Sequence, residues 1–305
     1  MAKPTQNIVP HLWYDKEAEE AAAFYASIFP DSRITSITPL DDTPSGDSHM
    51  VSMELWGQEF LAINAGPYFK FNPSVSFMVN FDPAREQDAS EKINEVWSKL
   101  SEGGTVLMPF DKYPFSEKYG WIQDKYGLSW QLILTNPEGE ERPAIIPSLM
   151  FVGDTCGKAE EAINFYSSVF KNAKKGQIVH YPKGMKPDKE GTVMFADFIL
   201  ENQWFTAMDS ARDHQFSFSE AISLTVYCET QEDIDHYWDK LSEVPESEQC
   251  GWLKDKYGMS WQIVPREKDE MMKNGTPEQI ARVTQATLKM KKLNLAELQK
   301  AYKGE

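Results

Sequence analysis

The chain has 305 residues, 41% of them hydrophobic and 26% charged, with a net charge of −16. That length suits two domains of ordinary size, and that much apolar material excludes wholesale disorder. So acidic a surface repels phosphate backbones, which argues against nucleic acid as a partner. The three cysteines, Cys156, Cys228 and Cys250, are odd in number and lack metal-ligand spacing, so they read as free thiols in a reducing cytoplasm. Residues 1–10 carry no apolar leader core, and no apolar run approaches the ~20 residues of a membrane span. The expectation is a cytoplasmic protein with no membrane partner.

Residues 7–14 read as a short strand. A helix follows, in which Ala18, Ala21, Ala22, Tyr25, Ile28 and Phe29 recur at three- and four-residue steps and form one apolar stripe. Asp15 precedes it, and Glu17, Glu19 and Glu20 fall in its first turns, where the helix dipole favours negative charge; Pro30-Asp31 stops it. Strands over 33–40, 49–55 and 59–64 come next, the last two joined by the turn Trp56-Gly57-Gln58. The order β-α-β-β-β then recurs, with a strand over 73–81, a helix over 87–100, and strands over 105–110, 119–124 and 128–134. Asp124-Lys125-Tyr126-Gly127 makes the last hairpin, its glycine supplying the left-handed conformation the turn needs.

Residues 136–143, polar and rich in Pro and Gly, read as a linker. Beyond them the plan is written again. Ala18–Phe29 returns as Ala159–Phe170, and Tyr119–Ile133 returns as Cys250–Val264 with nine of the fifteen positions identical. The pairs keep their order, so residues 1–135 and 144–267 are one domain written twice. Residues 241–249 are shorter than the matching 100–118, so one strand of the second copy is expected to be reduced or missing. Residues 268–305 have no counterpart in the first copy and form a helical tail. Thr276-Pro277-Glu278-Gln279 is a helix start, with a capping threonine and proline in the first turn. Ile280, Val283, Ala286, Thr287 and Met290 continue as a stripe, and a second short helix is expected over 295–302. An amphipathic pair of this kind packs on the domain surface or on a partner subunit.

Two motifs carry a family resemblance. Ala-Glu-Glu-Ala-x-x-Phe-Tyr-x-Ser-[Ile/Val]-Phe stands on the first helix of each copy, and Gly-Trp-x-x-Asp-Lys-Tyr-Gly-x-Ser-Trp-Gln on the last hairpin. With residues 229–241 and 285–293, they resemble the vicinal oxygen chelate (glyoxalase/bleomycin resistance/dioxygenase) superfamily. Within it they are similar to the PhnB-like group labelled demethylubiquinone methyltransferase. The resemblance implies an α+β fold of tandem domains, each with two βαβββ modules forming an eight-stranded cup, plus the C-terminal helical tail. It also implies that helices cover the outside and ligands sit inside.

Metalloenzymes of that superfamily place four ligands, typically His, Glu, His and Glu, on the inner faces of four strands. At those positions the first copy offers His11 (or Pro10, in the other register of the strand), Asn64, Ser76 and Gln131, and the second Ser148, Asp209, Ser223 and Gln262. One imidazole or one carboxylate per cup is a poor set for a divalent transition metal, so no metal site is expected. Cofactors are expected to be none, with a divalent metal left open. Trp13 and Met150 also face the cups, and Trp121 and Trp252 are placed to stack on a ligand or to pack. Trp130 and Trp261 alternate away from the glutamines and read as core. The ligand-binding candidates are thus His11, Trp13, Asn64, Ser76, Trp121, Gln131, Met150, Ser223, Trp252 and Gln262. Asp209 is the candidate for chemistry, either as a base with a raised pKa or as a satisfied structural acid. The function expected is binding or sequestering of a small molecule, by analogy with bleomycin-binding relatives. Alternatives are a glyoxalase-like or dioxygenase-like metalloenzyme, the methyltransferase of the label, and an interaction scaffold. No glycine-rich strand-to-helix turn for a methyl donor is found. The two domains are expected to pair within the chain, with a homodimer left open.

Overall fold

The computed structural model describes residues 6–43 and 45–305; residues 1–5 of the stretch read for a leader lie outside them. The predicted order recurs through four modules. The first is β1 (Ile8–Tyr14), α1 (Ala18–Ile28), β2 (Arg33–Thr43), β3 (Gly46–Leu55) and β4 (Gln58–Asn64). The second is β5 (Val75–Phe81), α2 (Ala89–Ser101), β6 (Thr105–Tyr113), β7 (Ser116–Gln123) and β8 (Ser129–Leu134). The third is β9 (Ile145–Phe151), α3 (Ala159–Val169), β10 (Lys174–His180), β11 (Val193–Leu200) and β12 (Gln203–Asp209). The fourth is β13 (Ile222–Cys228), α4 (Gln231–Leu241), β14 (Trp252–Lys254) and β15 (Ser260–Pro265). The tail holds three helices, α5 (Arg266–Asn274), α6 (Pro277–Leu288) and α7 (Leu295–Lys303), one more than the sequence predicts.

The α+β fold and the tandem repeat are as expected, but the sheets do not follow the repeats. An outer sheet, β14-β15-β13-β1-β4-β3-β2, joins the first and fourth modules; an inner sheet, β10-β11-β12-β9-β5-β8-β7-β6, joins the second and third. Each repeat therefore gives one module to each sheet. The seams are antiparallel, β1 on β13 with His11 opposite Ser223, and β5 on β9 with Ser76 opposite Ser148. This corrects the assumption that each repeat closes its own cup. β1 and β9 are copies of one another, so β5 meets the same edge on either, and the linker lets β9 settle beside it.

The fourth module lacks a counterpart of β6, as its short sequence implied, so the outer sheet has seven strands to the inner sheet's eight. The tail fills that edge. In the inner sheet Tyr119 pairs with Asp111 of β6. At the matching place in the outer sheet, Cys250 N–H and Gly251 N–H donate to the carbonyls of Met290 and Lys291, both at 2.8 Å. Thr276 caps α6 as expected, and Gln279 completes a capping box with it.

The repeats remain units through their helices. Asp124, at the β7–β8 hairpin, accepts from Tyr25 Oη of α1 (2.7 Å), from Trp130 Nε1 (2.9 Å) and from the N–H groups of Tyr126 and Leu128 (2.9 and 3.1 Å). Asp255 does the same with Tyr166 of α3, Trp261, and the N–H groups of Tyr257 and Met259, at 2.7, 2.8, 2.8 and 3.0 Å. At the surface, Glu20 takes Lys125 and Tyr126, and Glu161 takes Lys256 and Tyr257. The residues shared by both motifs thus form a latch that ties the first helix of each repeat to its last hairpin. Burial raises both aspartate pKa values, and the four donors around each pull the other way. The helix faces of the two sheets merge into one core, where Phe60 of β4 meets Phe77 of β5 at 4.9 Å between ring centroids.

Candidate functional site

Strand alternation decides which side chains face away from the helices. On β1, Ile8, Leu12 and Tyr14 belong to the helix-side core, which leaves Val9, His11 and Trp13 on the opposite, cup face. By the same count the cup face takes Leu61 and Ile63 from β4, Ser223, Thr225 and Tyr227 from β13, Ser260, Gln262 and Val264 from β15, and Trp252 from β14. Register sets these in rows. Leu61, His11, Ser223 and Ser260 lie side by side across four strands, and Val9, Thr225, Gln262 and Trp252 form the next row.

His11 is 1% exposed, and neither ring nitrogen has a hydrogen-bond partner among the described residues. Burial, then the nearby charge of Lys268, lowers its pKa to about 3, so the imidazole is neutral. Its ring meets Trp252 edge-on at 5.6 Å, and Trp252 meets Trp13 at 6.0 Å. Gln262 Nε2 donates to Ser223 Oγ at 2.9 Å. The hydroxyls of Thr225 and Ser260 are buried and have no partner among the described residues. Five predicted residues, His11, Trp13, Ser223, Trp252 and Gln262, thus come together in one cup, drawn from both repeats.

The inner cup gathers Ser76, Trp121, Gln131 and Met150, and there most polar groups satisfy one another, while the buried Thr206 hydroxyl has no partner among the described residues. Tyr119 Oη donates to Gln131 Oε1 (2.6 Å), and Gln131 Nε2 donates to Ser76 Oγ (2.8 Å) and to Ser148 Oγ (3.3 Å). Trp121 Nε1 donates to Ser129 Oγ at 2.7 Å. Tyr119, Trp121, Met150 and Val152 are buried together, with Met208 and Phe216 against them. The cups are copies with different outcomes. Cys250 stands where Tyr119 stands, and Ser260 has no indole where Ser129 has one.

Asn64 and Asp209 do not reach either cup. Phe60 and Ala62, and likewise Phe205 and Ala207, point to the helices, so the residue two further along does too. Asn64 Oδ1 accepts from the N–H of Ala18 at 2.8 Å, at the start of α1. Asp209 is 1% exposed and accepts from the N–H groups of Gly157 (2.7 Å), Ala159 (3.2 Å) and Val193 (2.8 Å). It therefore caps α3, where the dipole favours negative charge, although burial raises its pKa. Counting alternation back from Phe60 and Phe205 would have shown this and put Ile63 and Met208 at the cup positions.

The sequence reading also missed what covers the outer cup. Val9, Tyr227 and Val264 of its floor form one buried cluster with Met271, Val283, Leu293 and Leu298 of the tail. The amphipathic tail packs on the domain surface as expected, and the surface is the cup itself.

A divalent metal of the kind the fold family implies would meet His11, Ser223, Gln262 and Ile63 in one cup, and Ser148, Ser76, Gln131 and Met208 in the other. One imidazole with hydroxyls, an amide and an alkyl group does not fit such an ion, and the second set fits less well. Among the described residues no three His, Cys, Asp or Glu side chains cluster as a metal site would need. No described helix is long and apolar enough to cross a membrane.

A family model described as 3-demethylubiquinone-9 3-methyltransferase matches residues 6–133 and again residues 143–264. Among solved structures, the chain is similar to a PhnB protein from Bacillus cereus that carries the same family label. That likeness is 38% identical, covers 43% of this chain and 100% of that one, and has a TM-score of 0.38. It is also similar to glyoxalase I from Zea mays, at 12% identity over 88% of this chain and 98% of that one, with a TM-score of 0.53, which shows the shared fold. No curated protein matches the chain.

Proposed function

Because the chain belongs to the 3-demethylubiquinone-9 3-methyltransferase family, matched in both of its repeats, we propose that it binds a small, partly aromatic molecule in the outer cup without a metal. The carrying observation is His11. A buried neutral imidazole has one donor and one acceptor, and leaving each empty costs about 1–3 kcal/mol. A ligand with a hydroxyl or carbonyl beside an aromatic ring relieves that cost, and the edges of Trp13 and Trp252 offer it aromatic walls. The inner cup presents a smaller demand, the Thr206 hydroxyl, because Tyr119, Gln131, Ser76 and Ser148 close on each other.

The family's name describes methyl transfer, and the chain's strand-to-helix turns do not fit a methyl-donor cofactor of the usual parallel-sheet kind. Ahead of α1 and α3, where such a cofactor would approach, the helix N–H groups are taken by Asn64 and Asp209. Binding is therefore the better reading.

The test is a thermal-shift screen of hydroxylated and carbonyl-bearing aromatic compounds. A ligand at one hundred times its Kd stabilises by about 2.7 kcal/mol. The shift should vanish in His11→Ala and persist in Ser148→Ala, which alters the inner cup. A shift that survives His11→Ala, or fails only in Ser148→Ala, places the site elsewhere and refutes the proposal.

A further inference from the structure

The outer cup holds a polar group that belongs to neither repeat. α5 begins directly after β15 and carries Lys268. Met271 and Met272, one turn further on, belong to the apolar cluster that closes the cup. Residues three and four apart share a helix face, so Lys268 lies on the side of α5 turned to the cup. Its charge bears on both His11 and Cys250, in keeping with that face. Lys268 makes no hydrogen bond or ion pair among the described residues. Asp269 beside it is engaged with Lys273 at 2.8 Å. Burial lowers the Lys268 pKa, and the neighbouring Asp269 carboxylate pulls it the other way. The cup thus presents an unpartnered imidazole and an unpartnered threonine hydroxyl under one apolar cover, and the helix that closes it carries a half-buried amine with no ion pair among the described residues.

We infer that Lys268 is the anion-recognising residue of the outer cup, so that its ligand is an aromatic acid whose carboxylate pairs with the ammonium while His11 engages a neighbouring hydroxyl. The inference rests on the reading of the outer cup as the binding site and adds the ligand's charge. An ion pair at a half-buried amine is screened less than one on the open surface, so charge should contribute to selectivity. It also gives the tail a role in recognition, because the residue that reads charge sits on it.

The experiment measures the affinity of 2-hydroxybenzoate and its neutral counterpart 2-hydroxybenzamide by calorimetry. The proteins are the full chain, Lys268→Met, Lys268→Gln and His11→Gln. The wild type should prefer the acid at least tenfold. Both Lys268 variants should lose that preference and bind the amide as before, and His11→Gln should weaken both compounds alike. Methionine keeps the length of the lysine stem among Met271 and Met272, and the glutamine variant serves if the methionine variant does not fold. Equal binding of acid and amide by the wild type overturns the inference and leaves the outer cup as the site. So does an acid preference that survives both Lys268 variants. No binding of either compound overturns the inference together with the reading it rests on.

Discussion

Replacing Asp255 by alanine removes the acceptor of four buried donors at once: Tyr166 Oη, Trp261 Nε1 and the N–H groups of Tyr257 and Met259. Hydrogen bonds to a charged acceptor are worth about 1.5–3 kcal/mol each, and the desolvation of the carboxylate offsets part of that sum. A net loss of about 4 kcal/mol is expected, since the indole and the tyrosine hydroxyl are buried where water does not replace the lost partner. At about 2–4 °C per kcal/mol, the melting temperature should fall by about 8–16 °C. Asp255→Asn should fall between the two proteins, because its amide accepts on one side but turns N–H groups toward the Trp261 indole, which only donates. The two variants also separate in pH dependence. A raised pKa in the folded state means that the folded chain holds a proton the unfolded chain has released, so this group's contribution falls as pH rises from about 4 through the folded value. The asparagine variant should lack that slope. Melting followed by circular dichroism and urea titration over a pH series measures all of this. An alanine variant melting within about 2 °C of the wild type would refute the latch, since a drop of at least 8 °C is the smallest the bonding allows.

Two further outcomes follow from the site. Asp209→Ala strips the cap from α3 and the acceptor from Val193, so it should cost about 3 kcal/mol in urea unfolding while outer-cup affinity stays within about twofold; lost affinity with intact stability would return Asp209 to the chemistry. His11 has a depressed pKa, so the unfolded chain takes a proton that the folded chain refuses, and stability should fall as pH drops from 6.5 toward about 3. That shift corresponds to up to about 5 kcal/mol across the window, opposite in sign to the buried aspartates. His11→Gln should remove it, as read from urea titrations monitored by tryptophan fluorescence between pH 4 and 7.

The sequence made local features legible and long-range ones not. The stripe on α1, the hairpin at Asp124 and the burial of Trp130 and Trp261 follow from residues within one turn or one strand of each other. The partnership of β1 with β13 does not, because β5 and β13 are copies and present equivalent edges to β1. The misplacing of Asn64 and Asp209 was avoidable, since Phe60 and Phe205 fix the parity of their strands. α5 was missed because Met271 is its one buried residue, too little for a stripe. The stripe of α6 announced that something would be buried and could not say against what. Lys268 escaped notice for the same reason: an isolated lysine on a polar helix gains meaning only when the helix is seen to close over His11.

The exchange of modules between sheets bears on how the two cups came to differ. In a pair of identical chains associating through equivalent seams, every residue appears in both cups, so a substitution that helps one is imposed on the other. With both copies in one polypeptide, each position is used once. A serine at 148 and a histidine at 11 no longer constrain one another, nor do a tyrosine at 119 and a cysteine at 250. One cup could knit most of its polar groups together, and the other could keep more of its groups open under helices from outside the duplication. Joining the copies in one polypeptide leaves each half free to diverge while it still completes a sheet for the other.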